Sequence, residues 1–157
     1  MLARALVRRC ARAMSVVALA MVVTFATVAT AKDRAVSVEG RSAVVREGRD
    51  LAATVRDTTA AQVAGIDFSQ MPKHTKLVVS ASLVGLDTSL RADGAVIDAR
   101  VSITVRDGRS GALRAMLSGK AKAETMRRAV VLGEDKAIEA AIESALSRVP
   151  EVLRTLR

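Results

Sequence analysis

Few residues of this 157-residue chain are of a kind that does chemistry. His74 is the only imidazole and Cys10 the only thiol. A single histidine in Met71-Pro72-Lys73-His74-Thr75 has no second nitrogen or sulfur ligand with which to share a metal, and no cysteine to activate. No G-x-S-x-G elbow exists for it to serve, so it reads as a surface-loop residue. Asp87, Ser89, Arg91, Asp93 and Asp98 make an oxygen-rich stretch. For a calcium loop, however, Gly94 is misplaced and Arg91 occupies a ligand slot. The glycines at 94 and 108–111 join strand to strand, whereas a phosphate cradle joins a strand to a helix. Glu134-Asp135, and Glu139 with Glu143, belong to a helix that also carries Lys136, with Arg148 nearby; at i, i+4, Glu139 and Glu143 form a solvated face. Catalysis requires a positioned nucleophile, base or metal. The expectation is therefore a non-enzymatic protein with no catalytic, cofactor-binding or metal-ligating residues, and no cofactor.

What remains to act is a polar strand face. Asp98, Arg100, Ser102, Thr104 and Arg106 alternate with Ile97, Ala99, Val101, Ile103 and Val105, and a period of two over this length means a half-buried strand. The five polar residues are the candidate partner-binding face. Asp93-Gly94 before this run is a hairpin signal, and Leu77, Val79, Ala81 and Leu83 alternate with Val78, Ser80, Ser82 and Val84 on its far side. Asp107-Gly108-Arg109-Ser110-Gly111 makes a second tight turn. The third run places Leu113, Ala115, Leu117, Gly119 and Ala121 inward, with Arg114, Ser118, Lys120 and Lys122 outward. Three strands joined by short turns predict an antiparallel meander with one wet face.

Two helices are available to cover the other face. Asp50 caps a run from Leu51 to about Ala64, with Leu51, Val55, Thr58 and Gln62 at helical spacing, Ala52, Thr59 and Val63 beside them, and Gly65 as the stop. Gly133 opens a second helix, with Glu134 and Asp135 in its first turn and a stripe of Ile138, Ala141, Ile142, Ala145, Leu146 and Val149. Pro150 predicts a kink or break before a final turn carrying Val152, Leu153 and Leu156. Ala35–Glu39 and Ser42–Arg46 read as two short strand pieces around Gly40, Met126–Leu132 as a connector, and Phe68 as the one large anchor of the core. The predicted fold is α+β: an antiparallel three- to four-stranded sheet with two amphipathic helices, in a two-layer sandwich.

Residues 1–31 read as an address. Arg4, Arg8, Arg9 and Arg12 precede an uncharged stretch from Met14 to Val28, and Ala29-Thr30-Ala31 supplies an A-x-A cleavage site. The apolar stretch falls short of the roughly 20 residues of a membrane span. Two segments follow from this, a secretory signal peptide at 1–31 and a single domain at 32–157, with a periplasmic or secreted location after cleavage near Ala31. The alternative is a membrane anchor formed by an uncleaved signal. Cleavage would remove four arginines, Cys10 and no acidic residue, so the net charge would fall from +9 to +5 over 126 residues. The mature chain would hold neither thiol nor disulfide, and its core would have to suffice. Basic residues after Lys32 are scattered, which argues against nucleic acid as a partner.

The stretch from Leu77 to Glu124 resembles the strand-rich half of the TolB amino-terminal domain. The same arrangement occurs in peptidoglycan synthase activator lipoproteins and in the curli secretion channel family. The resemblance rests on LVVSASLVGL, VIDARVSITVRD, the turn GRSG and ALRAMLSGKAKAE, with Val105-Arg106-Asp107-Gly108-Arg109-Ser110-Gly111-Ala112-Leu113 matching the V-x-D-x-x-[ST]-G-x-[LV] turn. It covers about fifty residues; the Pro-Phe loop that opens the domain is absent from 32–50, and no lipobox is present. It implies an envelope fold and compartment and transfers no functional residue. The function expected is an exported envelope module that binds a protein or supports an assembly. The alternative is a basic module that binds an anionic membrane or polymer surface through its net charge and the Arg148–Arg157 tail.

Overall fold

The computed structural model describes residues 26–155 apart from 32–33, 70 and 73. Its centre is the strand with the strictest alternation. Ile97, Ala99, Val101, Ile103 and Val105 are all buried, and Asp98 and Arg100 beside them are exposed. That strand, β4 (Ala95–Asp107), pairs antiparallel with β3 (Lys76–Leu90) on one side and β5 (Leu113–Thr125) on the other, giving the expected meander. On the far side of β3 lie β2 (Arg34–Ser42) and the short β1 (Ala26–Ala31), in the order β1-β2-β3-β4-β5.

The class is α+β with both long helices on one side, as the patterning requires, but the sheet is mixed rather than wholly antiparallel. β2 and β3 run parallel, from Ala35 opposite Lys76 to Ser42 opposite Leu83. Helix α1 (Leu51–Ala64) carries the chain back between them, and a parallel neighbour needs such a crossover. Periodicity reports which face a residue takes and is silent on strand direction. β2 is also one strand through Gly40 instead of two pieces. A Cβ on Gly40 would sit 2.5 Å from the Arg56 backbone nitrogen and 2.6 Å from the Ala52 oxygen, so its bare Cα lets α1 lie directly on the strand.

Helix α1 starts where Asp50 accepts a hydrogen bond from the Ala53 N–H at 3.0 Å. Its buried stripe is Leu51, Val55, Thr59 and Val63, an i, i+4 series; Thr58 and Gln62, placed on that face by the sequence, are only partly buried. Thr59 is tolerated in the core because its hydroxyl donates to the Val55 carbonyl at 2.6 Å. Residues 127–129 form a short 3-10 turn within the expected connector, and α2 (Val130–Leu146) begins three residues before Gly133. Its stripe of Ile138, Ala141, Ile142 and Ala145 is fully buried. A Cβ on Gly119 would collide with the Ala141 carbonyl, which fixes how closely α2 approaches β5. The helix ends at Ser147, and α3 (Val149–Thr155) restarts with Pro150 in its first turn, where the missing N–H breaks no helical bond. Leu156 lies outside the described residues.

Two sheet irregularities correct the expected register. Val84 is an extra residue between Leu83 and Gly85, so β3 continues to Leu90 with Leu86 and Thr88 turned inward, through what read as a loop. A second bulge at Arg114 sets Leu113 opposite Arg106, and Leu113 is exposed rather than in the core. In the connector before β3, Phe68 is only partly buried and Met71 fills the core instead.

Residues 1–25 of the expected signal segment lie outside the described residues. Residues 26–31 form β1, antiparallel to β2; cleavage after Ala31 would remove β1 and leave β2 as the sheet edge. Among the described residues no helix is long and apolar enough to cross a membrane.

Candidate functional site: the open face of the sheet

With α1 over β2 and β3 and α2 over β4 and β5, the opposite sheet face has no described helix on it. The register places its side chains in cross-strand rows. Beyond an end row of Ser89, Val96 and Glu124, Asp87, Asp98 and Lys122 form the first row, Gly85, Arg100 and Lys120 the second, and Ser82, Ser102 and Ser118 the third. Ser80, Thr104 and Met116 make the fourth, and Val78, Arg106 and Leu113 the last. β2 extends the lower rows with Ser37, Glu39 and Arg41. All five residues singled out from the sequence therefore lie on one open face, along its central strand.

The first two rows work as a unit. Asp87 and Asp98 stand directly opposite each other, and like charges so placed repel. The Arg100 guanidinium resolves this by donating from Nη2 to Asp87 Oδ2 at 2.9 Å. It can lie across β3 because the residue opposite is Gly85: a Cβ there would be 2.9 Å from Arg100 Nε and Nη2. The bulge at Val84 brings that glycine into register. Asp98, Lys120 and Lys122 complete a shallow depression of about 480 Å³ and enter no ion pair among the described residues. Lower down the charges are fewer, Glu39 and Arg41 on β2 and Arg106 on β4. Ser80 is buried and donates to Glu39 Oε2 at 2.8 Å, and Met116 and Leu113 are exposed apolar residues beside Thr104 and Arg106.

At the end of β4, Asp107 holds the turn into β5. Its Oδ1 accepts from the backbone N–H groups of Ser110 and Arg109, each at 2.9 Å, and its Oδ2 accepts from Arg114 at 3.1 Å. These donors, the Ser110 and Arg109 amides foremost and then the Arg114 side chain, keep the carboxyl well below the usual carboxylate range.

A second charged cluster lies on the helix side. Glu134 is buried, and its Oε2 accepts from Arg49 at 2.6 Å while Oε1 accepts from Arg46 at 3.3 Å and Thr88 at 3.1 Å. Arg49 also pairs with Asp135. These contacts tie the 43–50 loop to α2 and β3. The sequence placed Glu134 and Asp135 in a first helical turn near Lys136 and Arg148; the long-range arginines are the actual partners. His74 is exposed in the connector with φ 67°, away from both clusters. Among the described residues no group of three or more His, Cys, Asp or Glu side chains is placed to hold a metal ion.

Sequence reasoning placed Lys120 and Lys122 outward on β5, but it left Asp87 in a loop and Glu39 in a separate strand piece and so missed both as members of the open face. Gly85 within an apolar run was the available signal, since a strand glycine marks a bulge or a close approach.

No family model matches the chain, and no curated protein sequence does. Solved structures of related layout are found at low identity. The PelC dodecamer from Paraburkholderia phytofirmans is 15% identical with a TM-score of 0.47, covering 79% of this chain and 91% of that one. A Caulobacter crescentus protein described as a lipoprotein is 18% identical with a TM-score of 0.41, covering 76% and 89%. The Chlamydia trachomatis protein CT253 is 12% identical with a TM-score of 0.48, covering 74% and 99%. Likenesses at this level concern general layout and bring no functional residue with them.

Proposed function

We propose that this chain is an exported, non-catalytic envelope domain of the TolB amino-terminal type, and that it docks a protein partner on the open face of its sheet. The observation that carries the reading is the one-sided packing of the helices. It leaves five rows of side chains across β3, β4 and β5 uncovered by any described helix, with Asp98, Arg100, Ser102, Thr104 and Arg106 along their centre. The signal-like residues 1–31 supply the export, and cleavage near Ala31 the periplasmic or secreted location. A binding role suits the side chains present: the serine row stands beside arginine and lysine, and the single imidazole is in the connector before β3, outside these rows.

In-cell crosslinking tests this, comparing the wild type with an Arg100→Glu/Arg106→Glu variant. Specific envelope proteins are expected to crosslink to the wild type and to be lost from the folded variant. Unchanged partners would remove the face from consideration, and turnover of a substrate by purified protein would overturn the non-catalytic reading. Binding to anionic vesicles that disappears in moderate salt would instead favour a charge-driven surface binder.

A further inference from the structure

The far side of the sheet ends in β5. Among the described residues no strand pairs with its outer edge from Leu113 to Thr125. Alternate backbone N–H and C=O groups along an edge strand point outward and form a template on which another strand can add. Edges are commonly blunted by short length, proline or inward-pointing charge. β5 is 13 residues long and contains no proline, and its inward residues after the bulge are Ala115, Leu117, Gly119, Ala121 and Ala123. From Ala115 onward its pairing to β4 is regular.

The edge is blunted by charge on its outward side. Lys120 and Lys122 are exposed, sit at i and i+2, and enter no ion pair among the described residues. Across a strand pair, opposite charges attract and like charges repel. A second copy of the chain added antiparallel about Gly119 would set Lys120 diagonal to its own counterpart and Lys122 diagonal to Arg114. A strand with carboxylates at two alternate positions would meet both lysines with the attractive sign, provided the residue it sets opposite Glu124, exposed on the same side two residues on, is not a third carboxylate. Its intervening residues would lie beside Ala121 and Ala123, which are only partly buried, and small or apolar side chains fit there.

We propose that the outer edge of β5 takes up an extended acidic segment of a partner protein by strand addition, with alternating carboxylates opposite Lys120 and Lys122. This goes beyond docking on the face, since it uses the backbone of β5 and not Arg100 or Arg106.

The test titrates the full exported chain with a synthetic end-capped peptide of valines alternating with two glutamates, and with its lysine–valine counterpart, while following amide hydrogen exchange along β5. The glutamate peptide is expected to bind and to slow exchange of alternate amides between Ala115 and Ala123 by about tenfold or more; the lysine peptide is expected not to bind. Lys120→Glu/Lys122→Glu should lower the affinity about tenfold with an unchanged thermal transition, and Lys120→Arg/Lys122→Arg should keep it. No binding at millimolar peptide, or binding without β5 protection, overturns the proposal. So does concentration-dependent protection of the same amides in the free protein, which would make a second copy the occupant. Because Lys120 and Lys122 also belong to the open face, partner capture assigns docking to the edge where it survives Arg100→Glu/Arg106→Glu, fails in Lys120→Glu/Lys122→Glu and slows exchange of the β5 amides; capture that leaves those amides unprotected assigns docking to the face and overturns this inference.

Discussion

Each face of the sheet carries a carboxylate held by arginine, Glu134 on the helix side and Asp87 on the open side, and the two arrangements serve different ends. On the helix side, Glu134 is 5% exposed and has three side-chain donors from a loop and a strand. On the open side, the Asp87 and Arg100 side chains are 66% and 53% exposed and share one hydrogen bond. A buried carboxylate must have its lone pairs satisfied or the fold suffers, so Glu134 is committed to holding elements together. An exposed pair contributes little to stability and leaves its charges available to a partner. Burial, more than residue type or pairing, separates a structural cluster from a candidate site.

The sharpest way to break this comparison is to put a charge on the wrong face of β4. Ile103→Asp would bury an unpaired carboxylate among Ala81, Leu117 and the helix stripe, and should cost about 4 kcal/mol or abolish folding. Thr104→Ala, one residue on, should change stability by about 0.5 kcal/mol or less. Urea unfolding of both variants reads the contrast, and equal tolerance would mean that the faces are not distinct.

Glu134→Ala comes next. It leaves Arg46 and Arg49 without their shared acceptor, and both arginines are mostly buried. A fully buried pair broken this way costs about 3–5 kcal/mol. Because these guanidiniums retain some access to water, about 2 kcal/mol is expected, with faster exchange of the loop amides at 43–50 as the local signature.

A smaller effect belongs to Asp107, at the end of β4. Its carboxyl is held below the usual carboxylate range by the Ser110 and Arg109 amides and by Arg114. Its contribution is fully present above the unfolded value of about 3.9 and is lost as the pH falls through that value toward the lower folded one. Asp107→Asn should therefore be less stable than the wild type at pH 7, with the gap closing below about pH 4 in a series of urea midpoints. A gap that stays constant down to pH 2 would show that the turn depends on hydrogen-bond geometry alone.

Much of the meander was legible because burial writes a period of two into β4, and nothing interrupts it from Ile97 to Val105. β3 was legible up to its bulge, and β5 from its bulge onward, where Ala115, Leu117, Gly119 and Ala121 face inward as the alternation predicts. The extra residue at Val84 reverses the later side chains of β3, the one at Arg114 puts Leu113 on the outer face, and each bulge is set by cross-strand geometry that a single strand does not encode. The parallel pairing of β2 and β3 was hidden for a related reason, since direction depends on where α1 returns the chain. The open face was legible as five residues of β4 and the outward lysines of β5; the membership of Asp87 and Glu39 came from register. Glu134 was misread because its partners are 85 and 88 residues away, and its position near a helix start offered a plausible local role.

The smallest stability effect is expected at the residue most central to the candidate site. Arg100→Ala removes one exposed ion pair, worth between nothing and about 1 kcal/mol at a surface, with about 0.5 kcal/mol the expected loss. Asp87, facing Asp98, then lacks its bonded cation, which keeps the change above zero. Gly85 no longer has a guanidinium lying over it, so Gly85→Ala should be better tolerated in the Arg100→Ala background than alone, a coupling that a double-mutant cycle of urea midpoints measures. If the open face is the docking surface, partner crosslinking should fall far more than so small a stability change can explain. Loss of crosslinking only in proportion to the unfolded fraction would place Arg100 with Glu134, as a residue that serves the fold and not a partner.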